Sequence, residues 1–135
     1  MTETFVPRSN ADTLVLVVED HVLTMKLFRA LIGARGYGTL QAPDGATGLA
    51  LAREHQPDLI IMDVALPDVS GLDLTRELKD DERTRAIPII VTTGAPMRAE
   101  DAEVRESGCD AFLAKPIAIS DLFDVIDKCL AVPAE

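Results

Sequence analysis

The stretch that decides the fold is DLIIMDVALP, residues 58–67, in which Asp63 directly follows four apolar residues. A short run that is apolar at nearly every position is typical of a parallel β-strand buried on both faces. Asp63 would then stand at the carboxyl end of a buried strand, which is where α/β proteins bind their ligands. Such a carboxylate needs a positive partner, because a buried charge without one destabilises the fold.

Four further apolar runs of strand length alternate along the chain with stretches of helical spacing. The predicted strands span residues 13–18, 38–42, 58–62, 87–92 and 110–114, and the predicted helices span 21–36, 45–55, 71–81, 97–107 and 119–130, with Asp44 and Pro96 at the start of the second and fourth helices. Right-handed crossovers then favour an α/β fold, an open parallel sheet with helices on both faces. We expect one domain over residues 13–131, with short tails at 1–12 and 132–135.

Composition excludes several classes of function. Acidic residues outnumber basic ones 23 to 13, and a net charge of -10 argues against direct binding to nucleic acid or to an anionic membrane surface. Cys109 and Cys129 match no metal-ligand spacing, so we interpret both as packing residues of a reduced chain. The sequence has neither a signal-peptide pattern nor an apolar stretch long enough to span a membrane, and we therefore expect a cytoplasmic protein.

Polar side chains follow four of the predicted strands at the point where each strand ends. They are Glu19 and Asp20 after the first strand, Asp63 after the third, Thr92 and Thr93 at the fourth, and Lys115, followed by Pro116, after the fifth. If the first and third strands are neighbours, three carboxylates converge, and each pair about 4 Å apart would repel by about 4 kcal/mol at an effective dielectric of about 20. Lys115 and a hard cation such as Mg²⁺ are the charges that would make such a cluster stable.

Each of these residues also has an ordinary structural interpretation. Asp20 is a plausible N-cap for the helix that follows it, and Asp63 alone could be a solvated loop acid. A threonine at the end of a strand is common. Capping by Asp20 does not, however, require the neighbouring Glu19. The ordinary interpretations also leave the placement of polar residues at the ends of four strands as a coincidence.

Four motifs together resemble the receiver domains of two-component response regulators. They are VVED (17–20), DLIIMDVALPDVSGLDL (58–74), IPIIVTTGA (87–95) and FLAKP (112–116). The resemblance runs from Thr13 to Leu130, and MKLFRALIGARGYGTLQA (25–42) is most similar to the DivK-type single-domain regulators. It implies a flavodoxin-like (βα)5 fold, a doubly wound parallel sheet with strand order 2-1-3-4-5.

The resemblance also implies a magnesium site and a phospho-acceptor. Asp63 would accept the phosphoryl group, and Mg²⁺ would be held directly by Asp20 and Asp63, through water by Glu19, and by the main-chain carbonyl of Ala65. A phosphatase of the haloacid-dehalogenase type is less compatible, because it needs an acid two residues after its nucleophile, where this chain has Ala65.

The remaining roles implied by the resemblance concern the phosphoryl oxygens and the switch. Lys115 and the Thr93 hydroxyl would each bind a phosphoryl oxygen, as would the main-chain N–H groups of Ala65 and Gly94, and the Lys115–Pro116 peptide bond would be cis. Movement of Thr93 would let Phe112 rotate, although Phe112 can equally be read as a core residue.

The function implied is that of a phospho-acceptor signalling protein, not an ordinary enzyme. It would take a phosphoryl group from a histidine kinase, a histidine phosphotransferase or a small phosphodonor, and would slowly hydrolyse its own acyl phosphate. We expect no attached output domain, so its output would be protein contacts made by the fourth helix, fifth strand and fifth helix. The alternative is a receiver-like module that binds partners without phosphorylation.

Overall fold

The computed structural model describes residues 10–131, so most of the two predicted tails (residues 1–9 and 132–135) lies outside the described chain. The strands are β1 (Leu14–Val18), β2 (Gly38–Ala42), β3 (Leu59–Asp63), β4 (Ile89–Thr93) and β5 (Ala111–Ala114), and the helices are α1 (Val22–Ala34), α2 (Gly45–His55), α3 (Gly71–Asp80), α4 (Ala102–Ser107) and α5 (Ile119–Leu130). A short 3-10 helix, Asn10–Asp12, precedes β1 within the predicted N-terminal tail.

All neighbouring strands pair in parallel, and the sheet order is β2-β1-β3-β4-β5. This confirms the predicted flavodoxin-like topology. The chain reverses its direction of winding after β2, so β1 and β3 lie side by side and their carboxyl ends meet at one edge.

Helices cover both faces of the sheet, as the continuous apolar strands require. One core cluster joins β1, β3 and β4 to α2, α3 and α4, and its members include Leu16, Ala52, Ile60, Leu78, Val91 and Val104. The other joins the same strands to α1 and α5, and includes Val17, Phe28, Ile61, Ile90, Leu122 and Ile126. Alternate residues of each strand therefore belong to opposite cores. The same alternation determines on which face of the sheet each side chain at a strand end lies.

The fourth helix is shorter than predicted, spanning Ala102–Ser107 in place of residues 97–107. Pro96 consequently lies in the segment before the helix and is not a first-turn residue, contrary to the prediction. The Asp101 N–H donates to the Arg98 carbonyl at 3.0 Å, a turn bond that takes the place of the helical bond from Asp101 to the Met97 carbonyl, and the Asp101 carboxylate accepts the Arg98 N–H at 3.1 Å. Val104 and Ser107 are the buried residues of α4.

The predicted N-cap of α2 is confirmed, because the Asp44 carboxylate accepts the Thr47 N–H at 2.7 Å. The capping interpretation of Asp20 is wrong: His21 is the N-cap of α1, and its Nδ1 accepts the Thr24 N–H at 3.4 Å. Within residues 10–131, no helix has both the length and the apolar character needed to cross a membrane.

Candidate functional site

The predicted convergence of three carboxylates is confirmed. Glu19 and Asp20 follow β1 and Asp63 ends β3, and one carboxylate oxygen from each lies within 4.8 Å of the others. Glu19 and Asp63 are 2% and 5% exposed, whereas Asp20 is exposed to solvent. The cluster thus has two acids inside the protein and one at its mouth.

The surrounding backbone fixes where these acids stand. The Glu19 N–H donates to the carbonyl of Ala42 at 2.9 Å, and its Oε2 accepts the His21 N–H at 3.1 Å. Behind Asp63, a Cβ added at Gly71 would lie 2.0 Å from the Asp63 carbonyl oxygen, so the first turn of α3 passes directly over the end of β3. Glycine is required at position 71 because any side chain would collide with main-chain atoms.

Lys115 supplies the positive charge expected among the acids. Its Nζ donates to Glu19 Oε1 at 2.8 Å and to Asp63 Oδ1 at 3.5 Å. The Lys115 N–H donates to the Thr93 carbonyl at 2.7 Å, and the Lys115–Pro116 peptide bond is cis, as predicted. The ammonium therefore lies between the two buried acids and is closer to Glu19.

Burial raises the pKa of Asp63, and the negative charge of Glu19 raises it further. The Lys115 ammonium and a hydrogen bond from the Ala65 main-chain N–H both oppose this increase in the pKa, without cancelling it. Three acids with one ammonium carry a net negative charge in a small space. The ionised form of Asp63 is consequently less favourable here than in water.

The donor set fits Mg²⁺. Carboxylate oxygens are hard ligands, and Mg²⁺ in proteins is usually held by one or two carboxylates with waters and phosphate oxygens completing its shell. Glu19, Asp20 and Asp63 offer three such oxygens at one point, and their uncompensated charge favours a divalent cation there. The Ala65 carbonyl belongs to the loop that follows Asp63, and Ala65 forms an isolated bridge with Ser70 across that loop.

Thr93, Gly94 and Phe112 lie on the β4–β5 side of the site. Thr93 ends β4, is 1% exposed, and its Oγ1 accepts the Ala95 N–H at 3.0 Å. A Cβ added at Gly94 would meet no atom within 4 Å, so the space beside its Cα is open. Phe112 pairs with Val91 in the sheet register and is half-buried against the core cluster that contains α4.

Sequence reasoning missed two features near the site. Asp68, in the loop after β3, binds the start of α2 through its carboxylate; an acid following Pro67 gives no signal of such a distant partner. Thr92, paired with Asp63 in the sheet register, is fully buried, and its hydroxyl has no hydrogen-bond partner within the described residues. The apolar residues next to Thr92 in the sequence indicated that its hydroxyl would lie in an apolar environment, which is unfavourable for a polar group.

Comparison with known proteins agrees with this geometry. The polar-differentiation response regulators DivK of Brucella ovis and Brucella anthropi are 48% and 47% identical to the chain over 116 residues, which cover 86% of this chain and 94% of each relative. The solved receiver domain of a sensor histidine kinase from Pseudomonas aeruginosa, with a magnesium ion coordinated in its active-site cleft, is 27% identical with a TM-score of 0.80, covering 87% of this chain and 97% of its own.

A second solved structure, the receiver domain of a signal transduction histidine kinase from Syntrophus aciditrophicus, is 29% identical with a TM-score of 0.81, covering 87% of this chain and 89% of its own. The family described as the response regulator receiver domain matches residues 15–127, which is most of the chain. With these matches and the strand order above, the chain belongs to the family of response regulator receiver domains.

Proposed function

We propose that the chain accepts a phosphoryl group on Asp63 from a phosphohistidine, in a Mg²⁺-dependent reaction, and signals by protein contacts. The observation that carries the proposal is the cluster of Glu19, Asp20 and Asp63, whose carboxylate oxygens lie within 4.8 Å of one another beside the Lys115 ammonium. Phosphoryl transfer needs in-line positioning and charge neutralisation more than it needs acid–base chemistry, and these residues offer both.

In the proposed step, an Asp63 carboxylate oxygen attacks phosphorus while the phosphorus–nitrogen bond of the phosphohistidine breaks. The electron pair of that bond leaves with the imidazole, and the product is an acyl phosphate. When bound, Mg²⁺ neutralises charge on the phosphoryl oxygens. Asp20 and Asp63 would be its direct carboxylate ligands, Glu19 would bind through water, and Ala65 would contribute its main-chain carbonyl.

The remaining groups would bind the phosphoryl oxygens. Lys115 has a third N–H for such an oxygen beyond those aimed at Glu19 and Asp63. The Thr93 hydroxyl accepts a hydrogen bond from Ala95 and keeps its own proton to donate. The N–H of Ala65 already donates to the Asp63 carboxylate, and the main-chain N–H of Gly94 would be a second donor to anionic oxygens.

Acetyl phosphate with Mg²⁺ tests the chemistry without a partner protein. Mass spectrometry of the intact wild-type chain should show one added phosphoryl group that disappears slowly by hydrolysis, and EDTA should prevent its addition. Asp63→Asn should gain none, while Asp124→Asn, which removes an exposed carboxylate on α5 away from the cluster, should still be labelled. A wild-type chain that gains no phosphoryl group would favour a receiver that binds its partners without phosphorylation.

An apolar patch beside the site is the proposed docking surface for the phosphohistidine donor. Val22, Leu23 and Leu27 on α1 are 66%, 70% and 55% exposed, and Ile119 at the start of α5 is 52% exposed. Leu27 and Ile119 border the site through Lys115, which lines the same groove. Exposed apolar surface of this kind favours binding to another protein.

The donor can be tested separately from the chemistry. Leu27→Glu should slow transfer from a phosphorylated histidine kinase or phosphotransferase, because it introduces a charge into the apolar contact. It should leave labelling by acetyl phosphate unchanged. Equal slowing with both donors would mean that Leu27 acts through the site and not through docking.

The proposed output is a change in the face formed by α4, β5 and α5. Movement of Thr93 toward a phosphoryl oxygen would open space beside β4, and the half-buried Phe112 could turn inward to fill it. The six-residue α4 buries few side chains, which favours a low local stability. Amide hydrogen exchange with and without beryllofluoride should therefore differ in α4, and unchanged exchange there would refute this part of the proposal. We also propose that this activity takes place in the cytoplasm.

A further inference from the structure

The start of α2 is capped from two directions. Asp44 caps it locally through Thr47, and Asp68, which lies in the loop between β3 and α3, caps it from outside. The two oxygens of Asp68 act separately: Oδ1 accepts the Gly45 N–H at 2.8 Å, and Oδ2 accepts the Ala46 N–H at 3.0 Å. These hydrogen bonds lower the pKa of Asp68, so the carboxylate is ionised at neutral pH.

The loop that contains Asp68 also carries Ala65, and its two ends are held by the backbone. The Val64 N–H donates to the Thr92 carbonyl at 2.9 Å, and the Gly71 N–H donates to the Val64 carbonyl at 2.8 Å. Between these ends, in the part of the chain that the structure describes, the hydrogen bonds from residues 66–69 to another secondary-structure element are the two made by Asp68.

The contact between the loop and α2 is close. A Cβ added at Gly45 would lie 2.4 Å from Val69 Cγ2 and 3.1 Å from Asp68 Oδ1, so the loop rests on the backbone of the first turn of α2. Asp68 is therefore bound to main-chain groups of a helix and not to a mobile side chain. A link of this kind fixes the position of the loop relative to the sheet through a rigid element.

We propose that Asp68 is a positioning residue, which pins the β3–α3 loop to α2 and thereby holds the main chain of Ala65 at the site. The consequence for Mg²⁺ and the phosphoryl group rests on the function proposed above. Groups that orient metal ligands from behind commonly change metal affinity by about 10- to 100-fold when they are removed. Asp68 would act in this way on the Ala65 carbonyl and on the N–H that faces Asp63.

The experiment compares Asp68→Ala and Asp68→Asn with Asp44→Ala, all in the full chain. Asp44→Ala is the matched control, because it removes a carboxylate cap from the same helix without releasing the loop. Asn is expected to behave like Ala at position 68, since its amide would place an NH2 group against one of the two donor N–H groups. Amide hydrogen exchange of residues 64–71 is measured in EDTA, and Mg²⁺ affinity is measured by titration calorimetry.

Both Asp68 variants should exchange the loop amides about tenfold faster and bind Mg²⁺ about tenfold more weakly than wild type. Asp44→Ala should lower the melting temperature while leaving loop exchange and Mg²⁺ affinity as in wild type. Unchanged loop exchange in the Asp68 variants would overturn the proposal, as would an equal loss of Mg²⁺ affinity in Asp44→Ala. Faster exchange of the loop amides with an unchanged Mg²⁺ affinity would overturn the proposal that the position of the loop affects the metal site. If wild type bound no Mg²⁺, the proposed function would fail, and the exchange measurement would still decide whether Asp68 holds the loop.

Discussion

Removing the charge of Asp63 should stabilise the metal-free protein, although Asp63 is the proposed phospho-acceptor. The Lys115 ammonium at 3.5 Å attracts the Asp63 carboxylate by about 5 kcal/mol at an effective dielectric of about 20. The Glu19 carboxylate, at most 4.8 Å away, repels it by about 3.5 kcal/mol on the same scale. Asp20 adds a repulsion that solvent screens, and burial adds a further cost.

The attraction and the repulsion largely offset each other, so the cost of burial and the Asp20 charge leave ionised Asp63 unfavourable, the direction that its raised pKa also gives. Asp63→Asn should therefore raise the melting temperature in EDTA, by about 3 to 6 °C for each kcal/mol of unfavourable charge that is removed. Asp124→Asn is the matched control, because it removes the same charge from an exposed position on α5 and should change little. Thermal unfolding followed by circular dichroism measures all three proteins.

The effect should depend on pH with a definite sign. Because the pKa of Asp63 is raised in the folded chain, the folded state holds more protons than the unfolded state between the two pKa values. This residue's contribution to stability therefore falls as pH rises through that window. The difference between wild type and Asp63→Asn should be absent below about pH 4 and full above the raised pKa.

Mg²⁺ should reduce the difference in stability between the two proteins. A ligand that binds only the folded state stabilises it, by about 1.4 kcal/mol at ten times its dissociation constant. Wild type should gain this amount, and Asp63→Asn should gain less because it lacks one of the three charges. The reasoning would be refuted if Asp63→Asn were no more stable than wild type in EDTA, or if Mg²⁺ stabilised both proteins equally.

Three further sets of substitutions test the packing and charges around the site by thermal unfolding. Gly71→Ala should destabilise the fold by about 3 kcal/mol or more, since its Cβ would lie 2.0 Å from a main-chain oxygen, whereas Gly33→Ala, with no atom within 4 Å, should stabilise α1 by about 0.5 to 1 kcal/mol. Thr92→Val should raise stability by about 1 kcal/mol, because it replaces an unpaired buried hydroxyl with a methyl group; a loss would mean that the hydroxyl has a partner. Lys115→Met should cost about 2 to 4 kcal/mol, and adding Glu19→Gln should restore part of it; additive losses would refute the pairing.

The fold was predictable because each strand carries its own signal. The apolar runs around Val17, Ile61 and Ile90 have the length and the β-branched composition of strands buried on both faces, and the structure buries them fully. The strand order needed more than periodicity, since right-handed crossovers restrict the possible topologies without selecting one. It came from the family resemblance, which covers nearly the whole chain.

The start of α4 was not predictable from periodicity. Residues 97–101 contain good helix formers and neither glycine nor proline, so composition favours helix. The turn bond from the Asp101 N–H to the Arg98 carbonyl replaces a helical bond to Met97, and composition gives no indication of this alternative. Helix starts depend on such competition, and they are harder to predict than the existence of the helix.

The site's residue types were predictable, but their pairing was not. Lys115 and Glu19 lie 96 residues apart, and only the folded backbone decides that the ammonium lies 2.8 Å from Glu19 and 3.5 Å from Asp63. The same holds for Asp68, whose partners lie 22 and 23 residues earlier. Distances of this kind follow from strand register and loop path, which a single sequence constrains weakly.

The rigidity of the sheet explains why the repulsion among these acids persists. Glu19 continues β1 and Asp63 ends β3, and both strands are buried and paired on each side, so the two carboxylates cannot move apart without breaking the sheet. On a mobile loop the same acids would separate into solvent, and the pKa of Asp63 would not be raised. Because the backbone prevents this, the unfavourable charge is relieved by Lys115, by a bound cation or by protonation. A site held in this way is already arranged for added positive charge, so cation binding requires little rearrangement of the protein.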